Sequence, residues 1–147
     1  MAESPPSWPA YARVPPFLPV PLRARADGWT PERQALFIGL LAETGSVAEA
    51  ARRVGMGRES AWRLRRRALA ESFAHAWDAV AAIRRGEANP RRKVTLAELP
   101  GRALEGPWVI HMRRRRFVWA GRAPSDSALL RHLRRLYAAA RRGGWSR

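Results

Sequence analysis

Seven arginines and one acid lie between residues 52 and 67, and this cluster is the part of the sequence best suited to bind a ligand. A guanidinium group donates paired hydrogen bonds to phosphate oxygens and to the O6 and N7 atoms of guanine. The whole chain is biased the same way, with 28 Lys and Arg residues, 12 Asp and Glu residues and a formal net charge of +16. Such a chain is expected to bind a polyanion, which can be nucleic acid, an anionic membrane surface or an acidic protein.

The spacing of small, glycine and apolar residues around the cluster predicts a helix-turn-helix at roughly residues 46–67. The segment Ser46–Glu49 reads as a capping box that starts the first of two short helices. Ala51 supplies the small residue needed where the helices cross, and Gly55 supplies the positive φ of the turn. The second helix is predicted from about Arg58 to Arg67. The apolar residues expected to join the two helices are Ala50, Val54, Met56, Ala61 and Leu64.

The second helix of such a unit presents its N-terminal turn to base edges in the major groove. We therefore expect Arg58 and Arg63 to contact guanine and Glu59 to accept a hydrogen bond from cytosine N4. Ser60 and Trp62 are expected to touch the DNA backbone, although a Trp at helical spacing is more often a core residue. The alternative for the whole face is a basic, solvated side of an ordinary helical bundle. The arginines expected at phosphates are Arg52, Arg53, Arg65, Arg66 and Arg67.

A second basic cluster lies between two predicted strands near the C-terminal end of the sequence. Residues 108–112 and 117–119 are rich in aromatic and β-branched side chains, which predicts a β-hairpin with a basic tip. The tip can hold phosphate outside the groove, or it can be a solvated turn, and the sequence leaves both interpretations open. The four tip residues are Arg113, Arg114, Arg115 and Arg116.

Capping and periodicity signals predict three more helices. Thr30, followed by a proline at the first helical position, starts a helix that Gly45 ends. A second has its apolar face within 71–86, and a third starts at Ser125. The apolar side of this last helix consists of Leu129, Leu130, Leu133, Leu136 and Tyr137. The fold class is therefore mainly α, a helix-turn-helix bundle with a small C-terminal β-hairpin and a terminal helix.

The chain divides into four predicted parts. Residues 1–28 hold seven of the twelve prolines and are predicted to be a disordered tail. Residues 29–87 form the predicted DNA-binding domain, and residues 88–142 form a candidate assembly region that combines the hairpin with the amphipathic helix. Residues 143–147 are a short tail.

Nothing in the sequence predicts an active site. The chain contains no cysteine and no Gly-rich phosphate loop, and its acids are scattered. His75, His111 and His132 are far apart and lack metal-ligand spacing. We therefore expect no enzyme activity, no cofactor and no metal. No apolar stretch of about 18 residues and no secretory leader is evident, so we expect no membrane association and a cytoplasmic, nucleoid-associated protein.

From Asp27 to about residue 137 the chain resembles bacterial and phage helix-turn-helix proteins of the small terminase subunit type. The matching segments are Val47–Met56, Arg58–Leu64, Glu71–Ala74, Ala103–Gly106, the strand pair and the Leu-rich helix. The resemblance implies binding to double-stranded DNA, and it suggests assembly into homo-oligomeric rings that hand viral DNA to a large terminase subunit. The chain departs from the pattern at Gly57, where a capping Ser is usual, at Pro100–Gly101, and at the arginine-rich hairpin turn.

Two other functions fit the same residues. A transcriptional regulator would use the helix-turn-helix as a two-fold dimer, with the Leu-rich helix as its seam. An interaction module would dock a partner through the Pro-rich segment, and its positive charge would serve solubility alone. The sequence does not choose among these functions.

Overall fold

The structure is a computed structural model, and it describes residues 14–23, 25–87, 95–122 and 126–143. The described part of the chain is mainly helical, with one two-stranded antiparallel hairpin, which confirms the predicted fold class. A 3-10 turn at Leu96–Glu98 and a π-helical turn at Gly101–Glu105 precede the hairpin. The helices are α1 Pro31–Thr44, α2 Val47–Val54, α3 Arg58–Arg65, α4 Glu71–Arg84 and α5 Asp126–Arg142, and the strands are β1 Trp108–Arg113 and β2 Arg116–Arg122.

The caps of α1 form as the sequence predicts. Thr30 Oγ1 accepts a hydrogen bond from the backbone N–H of Arg33 at 3.2 Å, and Gly45 ends the helix with φ of 69°. The predicted capping box of α2 forms only in part. Ser46 Oγ accepts from the Glu49 N–H, but the Glu49 carboxylate binds Arg52 and does not return to the Ser46 N–H.

A single hydrophobic core joins α1, α4 and the helix-turn-helix. The rings of Phe37, Phe73 and Trp77 meet at its centre, with 5.0 Å between the centroids of Phe37 and Trp77. Burying a large side chain contributes about 1.5–3 kcal/mol, so this aromatic cluster is a main source of stability. It also fixes α4 as the platform on which α3 rests.

The Pro-rich segment before α1 belongs to this core, and the predicted disordered tail is wrong for residues 14–23. Val14, Phe17 and Val20 are almost completely buried. Backbone hydrogen bonds link Phe17 to Trp108 in both directions, at 3.1 and 2.8 Å. Apolar residues three apart share one side of an extended, proline-rich chain, so this side packs on the core while Pro16 and Pro21 remain exposed. Residues 1–13 and residue 24 of the predicted tail lie outside the described residues.

A buried glutamine holds this segment against α1. Gln34 is completely buried, and its Oε1 accepts a hydrogen bond from the Val20 N–H at 2.7 Å. Its Nε2 donates to the carbonyl oxygens of Val20 and Trp29 at 3.1 and 3.0 Å. A buried amide costs stability unless it is hydrogen-bonded. Here the Gln34 amide pairs with the backbone N–H and carbonyl of Val20, which would otherwise be buried without the hydrogen bonds that a neighbouring strand provides.

The hairpin packs directly on α1. A Cβ at Gly39 would lie 2.8 Å from Cγ of Phe117 and closer to the edge of the ring, so only glycine permits this contact. Trp108 and Ile110 of β1 are buried in the same core as the helices. The predicted division between residues 87 and 88 therefore does not separate two cores. The hairpin keeps a fixed position beside the helix-turn-helix.

Candidate nucleic-acid interface

The turn between α2 and α3 has the geometry that the helix-turn-helix prediction requires. Gly55 adopts φ of 84°, and the N–H of Met56 donates to the Ala51 carbonyl at 2.9 Å. A Cβ at Gly55 would meet nothing within 4 Å, so the glycine is needed for its backbone conformation and not for space. Ala50 and Ala51 are fully buried where the helices cross. Residues 47–65 are thus two short helices, as predicted.

One side of α3 is buried and the other faces outward. Ala61 and Leu64 are buried against the core, as expected. Arg58 and Arg63 are exposed, and their side chains have no hydrogen-bond or ion-pair partner among the described residues. Because residues spaced by three or four share a helix face, the exposed positions form one continuous surface. These positions are Arg58, Glu59, Trp62, Arg63 and Arg66.

Ser60, expected at the DNA backbone, has a partner inside the protein. The indole N–H of Trp29 donates a hydrogen bond to its Oγ at 2.8 Å. Trp29 is itself nearly buried and packs edge-on against Phe37, with 5.5 Å between ring centroids. The Ser60 hydroxyl therefore orients α3 relative to the core, and we reassign it from DNA contact to positioning.

Arg65, expected at phosphate, joins α3 to α4. Its guanidinium forms two hydrogen bonds with the Asp78 carboxylate, at 2.9 and 3.2 Å. It also lies over Trp77, with Cζ 5.0 Å from the ring centroid, and its side chain is only 21% exposed. A bidentate pair stacked on an aromatic ring is well fixed in place. The expectation of a phosphate contact is therefore corrected to a structural role.

Trp62, which the sequence suggests as either a DNA contact or a core residue, is partly buried. Its ring packs against Trp77 with 4.8 Å between centroids, yet the residue remains 37% exposed. The two indoles form the floor of a shallow open groove between α3 and α4, whose rim includes Arg66 and Arg85. Trp62 thus supports α3 and leaves one edge of its ring on the exposed face.

The other arginines expected at phosphates remain at the surface. Arg52 pairs with Glu49 and Arg53 pairs with Glu43, while Arg66 donates to the Trp62 carbonyl at 3.2 Å. Hydrogen bonds from Arg52 lower the pKa of Glu49. Such exposed pairs are weak in water, so a phosphate can replace the carboxylate. Arg67, just beyond α3, is exposed, and its side chain has no partner among the described residues.

The four arginines at the end of the hairpin, Arg113–Arg116, are all exposed, and they are called the hairpin tip below. None of them has an ion-pair partner within 4 Å among the described residues. The register pairs Arg113 with Arg116, so Arg114 and Arg115 alone form the turn. The predicted hairpin with a basic tip is thus present, and its turn contains no glycine.

The exposed surface of α5 includes an apolar stripe. The five predicted apolar residues, Leu129, Leu130, Leu133, Leu136 and Tyr137, are between 36% and 68% exposed. They recur every three or four positions, while the helix packs on the rest of the protein through the buried Ala128 near its start. The arginines of α5 fall outside this stripe.

The described residues contain neither a group of metal ligands nor a membrane-spanning helix. No three His, Asp or Glu side chains among these residues lie close enough to share a metal ion. The ring of His111 stacks on Trp119 with 3.8 Å between centroids. In the same residues, no helix is both long and apolar enough to cross a bilayer.

Comparison with protein-family models, with curated proteins and with solved structures finds no match to this chain. The function proposed below therefore depends on the residues and geometry of the site itself.

Proposed function

We propose that this protein is a non-enzymatic, sequence-reading binder of double-stranded DNA, and that α3 enters the major groove. The observation that carries the proposal is the position of Arg58 and Arg63. Both guanidinium groups lie on the outward side of α3, opposite the buried Ala61 and Leu64, and neither has a partner among the described residues. Unpaired arginines on the exposed face of the second helix are the arrangement that base readout requires.

The contacts divide into base readout and phosphate binding. Arg58 and Arg63 donate to guanine O6 and N7, and Glu59 accepts from cytosine N4. The exposed arginines at the ends of the two helices bind phosphate and set the position on the duplex. These phosphate-binding residues are Arg52, Arg53, Arg66 and Arg67. Ser60 and Arg65 act indirectly, because they hold α3 on the core.

Replacing Arg58 with Ala should weaken binding to the preferred site by roughly 1–3 kcal/mol and relax its sequence choice. Arg67→Ala is the matched variant, because it removes an equally exposed arginine and should weaken all duplexes alike. Fluorescence anisotropy with a site selected from a random pool, and with scrambled duplexes, measures both effects. Equal behaviour of the two variants would reject this division of roles.

The salt dependence of the same titrations tests DNA binding itself. If about six phosphates are neutralised, the logarithm of the association constant should fall with the logarithm of salt concentration at a slope of about −5. A flat response would favour the alternative of an interaction module. Val14, Phe17 and Val20 of the Pro-rich segment are buried, so within the described residues a partner could reach only its exposed positions, such as Pro16 and Pro21.

Self-association through α5 is part of the proposal. Five exposed apolar side chains in one row along a helix are typical of an interaction surface, and pairing two such rows buries them against each other. A second copy is therefore a suitable occupant. Two copies would also present two α3 helices to successive half-sites, as a two-fold regulator does.

Light scattering after size exclusion should give a mass of at least twice 16.6 kDa, the mass of one chain. Leu133→Glu should return the protein to 16.6 kDa, because it places a charge in the middle of the apolar stripe. Arg131→Glu, a charge change on the other side of the same helix, should leave the assembly intact. A wild-type monomer at the highest soluble concentration would contradict self-association.

The measured mass also separates the biological roles. A dimer favours a regulator, and a ring of many copies favours the packaging role that the small-terminase resemblance suggests. That role, together with a large terminase subunit as partner, stays a prediction.

A further inference from the structure

The turn of the hairpin has a backbone conformation that its side chains do not favour. Arg114 and Arg115 adopt φ of 49° and 67°, both in the left-handed region. A two-residue turn of this kind normally contains Asn-Gly, because glycine enters that region without a steric penalty. Two successive arginines there destabilise the hairpin relative to Asn-Gly, so their presence calls for a reason other than folding.

The charge at the same place is concentrated and unpaired. All four residues of the hairpin tip are exposed, and the structure gives them no acidic partner within 4 Å among the described residues. Four like charges on adjacent positions repel one another, which adds to the cost of the turn. A polyanion would relieve this repulsion.

The hairpin tip has a defined position relative to the helix-turn-helix, and Glu43 at the end of α1 sets it. One oxygen of its carboxylate accepts from the backbone N–H of Phe117 at 3.0 Å, and the other accepts from Arg53 of α2 at 2.7 Å. The residue next to Phe117 is Arg116, whose charge also acts on this carboxylate. The tip therefore lies beside the basic end of α2.

The pKa of Glu43 agrees with its position between α2 and β2. Burial tends to raise the pKa of this carboxyl group, but hydrogen bonds from Arg53 and from the Phe117 N–H outweigh burial, so the pKa lies below its ordinary value. The carboxylate is thus ionised at neutral pH and holds α2 and β2 together. The ring of Phe117 also packs on Gly39, which adds an apolar contact between β2 and α1.

We propose that the hairpin tip is a second DNA-binding element, in which Arg114 and Arg115 bind backbone phosphates beside the site that α3 reads. This inference rests on the proposed function and extends it from one helix to a bipartite surface. This role accounts for arginine at the two turn positions, because the turn presents two neighbouring, exposed guanidinium groups. The contacts are to phosphate, so they add affinity for every sequence and not discrimination among bases.

The decisive variant is Arg114→Asn combined with Arg115→Gly in the full chain. It replaces the strained turn by the favoured one, so the melting temperature should rise. The same variant should lose roughly tenfold in duplex affinity at low salt, and its salt slope should be shallower by about 2, since two phosphate contacts are removed. Stability and affinity would then change in opposite directions, which a purely structural turn would not produce.

The matched control removes two exposed arginines from the end of α5, as Arg141→Gln with Arg142→Gln. It should leave the salt slope nearly unchanged. A second variant, Arg114→Lys with Arg115→Lys, keeps the charge and should retain most of the affinity. The inference is overturned if the Asn-Gly variant and the control have equal affinities and equal salt slopes.

The two proposals can fail separately. If Arg58→Ala weakens binding and the Asn-Gly variant does not, only the role of the hairpin tip is wrong. If the wild type shows no salt-dependent binding to duplex DNA, both are wrong.

Discussion

Replacing Phe17 with Ala is expected to lower the free energy of unfolding by about 3–5 kcal/mol, the range for truncating a buried aromatic residue. Phe17 is 1% exposed and packs edge-on against Phe73, with 5.9 Å between ring centroids. Its backbone also pairs with Trp108. Loss of the ring leaves a cavity where the proline-rich segment, α4 and the hairpin meet. Urea denaturation followed by circular dichroism measures the effect.

Arg23→Ala is the control, because it changes an exposed residue of the same segment. Its effect should stay within about 0.5 kcal/mol. Equal stabilities of the Phe17 and Arg23 variants would mean that the segment does not pack as described.

Replacing Ala51 with Leu is expected to destabilise the protein by about 1–3 kcal/mol, because the larger side chain overpacks the crossing of α2 and α3. Ala51 is fully buried, and its carbonyl accepts the hydrogen bond that closes the turn. Separating the helices also displaces Arg58 and Arg63, so most of the duplex affinity should be lost. Thermal melting and the anisotropy titration report the two effects.

Ala48→Leu makes the same change on the exposed side of α2 and should leave both measurements near their wild-type values. A normal melting temperature for Ala51→Leu would contradict the helix-turn-helix assignment. A lower melting temperature with unchanged DNA binding would instead contradict the role proposed for α3.

The helices were predictable because their signals are local. Thr30, Gly45 and Gly55 each fix a helix end through contacts within a few residues, as expected, and Ser46 caps α2 although the return contact from Glu49 does not form. The hairpin was predictable from its aromatic and β-branched residues, but its dependence on Gly39 was not. A glycine within a helix carries no sign of the ring that will lie on it.

The misassigned site residues share one cause. Arg65 looked like its arginine neighbours, but Asp78, thirteen positions away, and the ring of Trp77 bind it within the protein. Ser60 meets Trp29, thirty-one positions away, in the same manner. Sequence spacing predicts which face of a helix is apolar, but it does not reveal a partner from another element. No other described element pairs with the guanidinium groups of Arg58 and Arg63, and their role in base readout stays a prediction.

The bridge between Phe17 and Trp108 has a consequence for biosynthesis. Phe17 and Trp108 are about 90 residues apart in the sequence. At ordinary rates of translation, Trp108 is therefore synthesised roughly 5–20 s after Phe17. During that interval Phe17 lacks the backbone partner that Trp108 provides in the folded protein. The prolines on either side of Phe17 prevent this segment from pairing with another nascent chain as a β-strand, and so act as gatekeepers against aggregation.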